Sequence, residues 1–251
     1  MAWVESQSAS FHCRHASSCT DEAVKLLAGL EDQRGRLGSV FPDPIGDLTI
    51  VLHDGPRSLA ASNPTLPALW RATERTSRVY LTGWAGDREL HLLSPPALRA
   101  RAGNNQVAAR ALSYAAATLY TRRVIVQGNP DLQRSLAPAR TLVSMRWAWL
   151  LEGGSRWFSG ESAAAKQAVI QRLRTGPAPD FPPAMRDAPL LAGTVIDLLV
   201  REEGEAAALT LLSRLHPGGS RAALASAFGG RPMVHTEGTW RSYLARLAGS
   251  R

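Results

Sequence analysis

The chain has 251 residues, enough for one large domain or two small ones, and its 45% hydrophobic content excludes a disordered polymer. No apolar run reaches the ~18 residues needed to span a bilayer. The net charge of +8 is almost entirely arginine, with lysine only at Lys25 and Lys166. Those arginines are scattered in singles and short pairs such as Arg122-Arg123, as surface cations are, so nucleic acid is not the expected partner.

The opening "MAWVESQSASFHCRH" has neither a basic start nor an apolar stretch, so no signal peptide is expected. That fits a cytoplasmic protein or a secreted or anchored domain whose leader has been removed. "SASFHCRHA" reads as the first strand. Thr20 offers a helix N-cap, Asp21 and Glu22 suit the first turn, and Ala23, Leu27, Leu30 and Leu37 recur near helical spacing. "FPDPIGD" is a loop, "LTIVLHD" a strand, and "GPRSLAASNPTLPALW" a short helix with a loop. "RVYLTGW" and "RELHLLS" around "AGD" predict a hairpin, and "PPALRARAGNN" closes the sheet region.

From Val107 onward the pattern is helical. Helices are expected over about 105–127, 139–158, 162–174, 190–201, 203–215 and 221–228, with a last amphipathic one in "TEGTWRSYLARLAG". Strands first and helices afterwards predict an α+β fold. A small, mostly antiparallel sheet with helices would fill residues 1–103, and a mainly helical part residues 104–251, in one compact unit.

Cys13 and Cys19 lie close together with His12 and His15 in "HCRHASSC". On a strand only Cys13 and His15 share a side, so two free thiols are expected. A local disulfide and a zinc knuckle are the alternatives.

Several strings in this order resemble the gluzincin branch of zinc metallopeptidases, in particular the bacterial peptidase MA-like domains. They are "EAVKLLAGLEDQRGRLGSVF", "PIGDLTIVLHD", "LHLLSP", "WAWLLEGGSRWFSG" and the tail "LVREEGEAAALTLLSRLHPGG…TWRSYLARL". The resemblance implies a zincin-like fold with a helix carrying HExxH. There, histidines at i and i+4 hold zinc, the intervening glutamate activates water, and a third ligand comes from a W-x-x-E-G helix. Laid on this chain, the pattern puts Ser113 and Ala117 at the histidine positions and Tyr114 at the base; only Glu152 matches, as the third ligand. No histidine occurs between His91 and His216, so a slip of the register does not restore the site. The alanines of "SYAAATLY" are expected to pack closely on neighbouring helices, with Tyr114 filling part of the metal's space. Glu152 is expected to pair with Arg146 or Arg156.

The expected protein is therefore a catalytically inactive peptidase relative, with no metal or cofactor. A peptide or protein segment would lie in its cleft along an edge strand, "RVYLTGW" or "RELHLLS". Trp84, Glu89, His91 and Trp149 are candidate cleft residues, with Trp147 and Trp157 as further apolar walls. Two competing readings remain. A hydrolase of another type would reuse the cleft, with groups converging on Glu152, or use His53-Asp54 to polarise Ser58. A nucleic-acid binder would cluster Arg122, Arg123, Arg134 and Arg140 on one face. The oligomeric state stays open.

Overall fold

The structure is a computed structural model that describes residues 3–133, 143 and 145–249. It has an α+β fold: five strands and the first helices come first, and the rest of the chain is helical. The strands are β1 (Trp3–Gln7), β2 (Phe11–Ala16), β3 (Leu48–His53), β4 (Gly83–Ala85) and β5 (Glu89–Leu93). They form one sheet in the order β1-β2-β3-β5-β4. The sheet is mixed rather than mostly antiparallel. Tight hairpins make β1–β2 and β4–β5 antiparallel, whereas long crossovers make β2–β3 and β3–β5 parallel. The hairpin over residues 78–94 is present, but Arg78 ends a helical turn and only Gly83–Ala85 pair as its first strand.

The helices of the first part are α1 (Thr20–Gly38), α2 (Pro56–Ser62), α3 (Leu66–Ala72), α4 (Arg75–Arg78) and α5 (Pro95–Ala102). The second part holds α6 (Gln106–Leu112), α7 (Ala115–Gly128), α8 (Pro130–Gln133), α9 (Ala148–Phe158), α10 (Glu161–Ala164) and α11 (Lys166–Thr175). It ends with α12 (Ala188–Glu203), α13 (Glu205–Ser213), α14 (Ser220–Ala227) and α15 (Met233–Gly249). In α1 the residues at helical spacing, Ala23, Leu27, Leu30 and Leu37, are buried, as is Gln33. Thr20 does not cap this helix; its hydroxyl donates to the Ser17 carbonyl at 2.9 Å. "PPALRARAGNN", which follows the last strand, forms α5, started by two prolines and capped by Ser94.

The helix expected over 105–127 is two helices. Asn105 caps α6 through a bond from the Ala108 amide, and the chain turns at Ser113–Tyr114 before α7 begins. The turn serves two sets of neighbours: α6 packs on α5 and α10, and α7 on α1, β4 and α9. Buried Gln33 ties α1 into this arrangement, donating to the Thr121 hydroxyl and the Phe158 carbonyl. One apolar cluster runs from Phe11 and Ile50 in the sheet through Trp149 and Val195 to Trp240 and Leu244, across both expected parts. Among the described residues, no helix is long and apolar enough to cross a membrane.

In β2, Phe11, Cys13 and His15 point inward while His12 and Arg14 are exposed, as strand alternation requires. Cys13 and Cys19 are both free and buried, and burial pushes the Cys13 thiol up to about 12.

Candidate functional site

Glu152 is buried on α9, and the helix facing it is α7. The residues brought to it are not those of the expected register. Ser113 and Tyr114 lie in the turn before α7, and with Ala117 they line a separate hollow against α1. Tyr114 therefore fills no space beside Glu152. From α7, Thr118, Leu119 and Arg122 line one small space with Glu152; Arg122 bonds Glu152 itself, and Thr118, one turn before it, bonds Glu161. Thr118 and Arg122 thus line the space beside Glu152, five residues along from the expected Ser113 and Ala117.

Glu152 anchors a buried ionic network. Arg122 donates through Nη1 to Oε1. Arg156, one turn along α9, donates to Oε2 through Nε at 3.3 Å and Nη2 at 3.2 Å. The same guanidinium bonds Glu161 through Nη1 and the Tyr80 carbonyl at 2.8 Å through Nη2. Glu161 accepts from the Thr118 hydroxyl at 2.5 Å, which lies 2.8 Å from the Ser159 hydroxyl. Arg156 is the expected partner of Glu152; Arg146 is not among its partners, and Arg122 takes that place.

The two carboxyls respond in opposite directions. Burial pushes Glu152 up, but Arg122 and then Arg156 more than offset it and hold the carboxyl below its ordinary range. Burial dominates at Glu161, which shares Arg156 and feels Glu152, and its carboxyl is raised. The space enclosed by these groups is about 20 Å³, room for about one water and no substrate.

An open groove of about 240 Å³ adjoins the network. Arg122 and Glu152 line it together with Trp84, Leu66, Leu69, Met145 and Met185. β4 runs along it as a sheet edge; β5 lies inside the sheet, so "RELHLLS" cannot be that edge. The Thr82 carbonyl accepts from the Leu93 amide, and the Gly86 amide donates to the Glu89 carbonyl. By alternation Trp84 also faces β5, so the N–H and C=O of Gly83 and Ala85 point away from the sheet.

The other candidate cleft residues divide. Trp84 lines the groove, and its indole donates to the Ser62 hydroxyl at 2.9 Å. Trp149 does not: it is 2% exposed in the core and bonds Ser220. Trp147 is also buried, and Trp157 borders a hollow on the far side of α12. Glu89 and His91 share a side of β5, with 3.0 Å between Oε2 and Nε2. His91 stacks on Trp84 at 4.3 Å and bonds His53 at 3.0 Å. His53 is thus committed to His91, and Ser58 donates to the Gly55 carbonyl instead, so the two do not form a nucleophile and base. Arg123 donates to the Asp87 carbonyl, and Arg134 and Arg140 lie outside the described residues. No group of three metal-ligating side chains occurs among the described residues.

The histidine pair predicts a pH dependence. Burial lowers His53, His91 lowers it further, and Asp54 opposes both. The folded value lies below the unfolded ~6.5, so the unfolded chain binds more protons as the pH drops beneath that value. The stability contributed by neutral His53 is present above about pH 6.5 and lost as the pH falls through the folded value. Urea melts should show a midpoint that declines from pH 7 to pH 5, and a smaller decline for His53→Gln. Equal declines for the two chains would contradict this.

Compared with known proteins, the chain matches no family model, no curated protein and no solved structure. The residues that sequence reasoning missed are Thr118, Ser159 and Glu161. The available signal was the spacing Thr118–Arg122, i and i+4 on one helical face.

Proposed function

We propose that the chain is a catalytically inactive relative of gluzincin peptidases, a module that takes an extended peptide or protein segment into the groove beside β4. The observation that carries the reading is the placement of Thr118 and Arg122. On α7 they line one small space with Glu152, at the i and i+4 spacing that the two histidines of an HExxH helix have in that family. Threonine is a poor zinc ligand and arginine none, and the Arg122 and Arg156 guanidiniums already supply the positive charge that Glu152 needs. A segment added to β4 would bond the outward amide and carbonyl groups of Gly83 and Ala85 and place side chains against Trp84 and Met185.

Two experiments test the two halves of this reading. The purified parent should hold no stoichiometric zinc by elemental analysis. The Thr118→His/Arg122→His pair should take up about one zinc, and Ser113→His/Ala117→His none. A folded Thr118→His/Arg122→His chain without zinc would sink the family reading. For the groove, peptides selected from a random extended library should lose binding to Ala85→Pro. That change removes one outward N–H at an edge strand, where proline is tolerated. Undiminished binding to a folded Ala85→Pro chain would exclude strand addition.

One observation favours a hydrolase of another type: two carboxyls, two guanidiniums and a tyrosine carbonyl converge at Glu152. The same bonds weigh against it. Each carboxyl is held by an arginine, and the enclosed space takes no substrate.

A further inference from the structure

A second hollow lies apart from the groove at Glu152. It lies on the other side of α7, between that helix and α1, with α5 and α6 at one end, and measures about 450 Å³. That is within the ~300–1,000 Å³ of small-molecule sites. Leu30, Leu92 and Leu112 form an apolar floor, and all three are buried. The walls are kept apart by small residues. A Cβ at Gly29 would meet no atom within 4 Å, and Ala109, Ala116 and Ala117 face it from α6 and α7. Of the alanines expected to allow close helix packing, Ala115 is buried and half-buried Ala116 packs against the core, while Ala116 and Ala117 also border the hollow.

The rim is cationic. Lys25, Arg36 and Arg99 line the hollow against one carboxylate, Glu22. Glu22 pairs with Arg99 at 3.3 Å. Arg36 donates to the Gln33 side-chain oxygen, a neutral group that leaves its charge uncompensated. Among the described residues, no carboxylate pairs with Lys25 or Arg36. An apolar floor beneath unbalanced cations is complementary to a ligand with an apolar body and an anionic head.

We infer that the hollow between α1 and α7 binds a small amphiphilic carboxylate. Its apolar chain lies on Leu30, Leu92 and Leu112, and its headgroup sits at the rim between Lys25 and Arg36. The site is independent of the groove beside β4 and does not depend on the peptidase reading.

Isothermal calorimetry of the full chain with dodecanoate, below its micelle concentration, tests the inference. One saturable equivalent is expected, and dodecyltrimethylammonium, with the same tail and the opposite charge, should not bind. Lys25→Ala/Arg36→Ala should weaken dodecanoate about tenfold, the scale of two partly exposed ion pairs. Gly29→Phe should abolish binding. It fills the hollow and replaces a helix-interior glycine, so the fold should persist. Ala117→Leu is the second filling variant should Gly29→Phe fail to fold. No saturable binding to the parent, equal binding of the cationic amphiphile, or unchanged affinity in a folded filling variant would overturn the site. So would a dimer, seen by light scattering, that the filling variants dissociate, since a second copy would then be the occupant.

Discussion

Arg156→Met should lower the stability of the protein by about 3–5 kcal/mol, the cost of breaking a buried ion pair from one side. Its guanidinium is 6% exposed and bonds Glu152, Glu161 and the Tyr80 carbonyl, so methionine leaves all three short of a partner. The loss is unequal. Glu152 keeps Arg122, whereas Glu161 keeps only the Thr118 hydroxyl, in a position where burial already raises its carboxyl. At ~2–4 °C per kcal/mol for a chain of this size, the melting temperature should fall by roughly 6–20 °C. Adding Glu161→Gln removes the stranded charge, so the double variant should regain much of the loss despite carrying one more substitution. The pair of melts separates two meanings of a buried network. Intact, it contributes little net stability, because desolvation offsets attraction; half-broken, it costs a great deal. An Arg156→Met chain that melts within ~1 °C of the parent would mean that the network is solvated.

Much of the fold was legible in the chain. Strands before helices, the α1 stripe of Ala23, Leu27, Leu30 and Leu37, and the edge hairpin all followed from periodicity and turn residues, because local pattern determines them. Strand direction was not legible. Whether β2, β3 and β5 run parallel depends on where the intervening helices cross, which no local pattern encodes. The candidate site was half legible. Glu152 and the stretch of chain that packs on its helix could be picked out through the order of the strings, but not Thr118 and Arg122, the residues of that stretch that line the space beside it. The cause is the turn at Ser113–Tyr114, where neither glycine nor proline marks the end of α6. Had the helix run unbroken, Ser113 and Ala117 would have shared a face with nothing to distinguish them from Thr118 and Arg122. The turn makes α7 start at Ala115, and only then does its packing on α9 decide which face meets Glu152. Glu161 was out of reach of any local reading, because it arrives through a separate helix.

Gly153→Leu should cost more than ~3 kcal/mol, and Gly153→Ala about 1–2 kcal/mol, while Gly154→Ala should be close to neutral. The two glycines are adjacent on α9 and face different neighbours. A Cβ at Gly153 would lie 2.7 Å from the Ala192 carbonyl oxygen and 3.0 Å from Ile196 Cγ1 on α12, so backbone must move. A Cβ at Gly154 would meet Leu212 Cδ2 at 2.6 Å and Cδ1 at 3.0 Å, the tips of a side chain that can change rotamer. Alanine in a helix interior gains ~0.5–1 kcal/mol over glycine, and that gain offsets the small strain at residue 154 but not the backbone clash at 153. The consequence reaches the site, because Glu152 precedes Gly153 on the same helix. Pushing α9 away from α12 drives it toward α7 and disturbs the bond from Arg122 as well as the packing. Gly153→Ala should therefore lose library-selected peptide binding along with stability, whereas Gly154→Ala should keep both. Thermal melts and peptide titrations of the two alanine variants decide the matter. Identical melts would show that α9 and α12 do not meet through Gly153, and that Glu152 is positioned by something other than this helix contact.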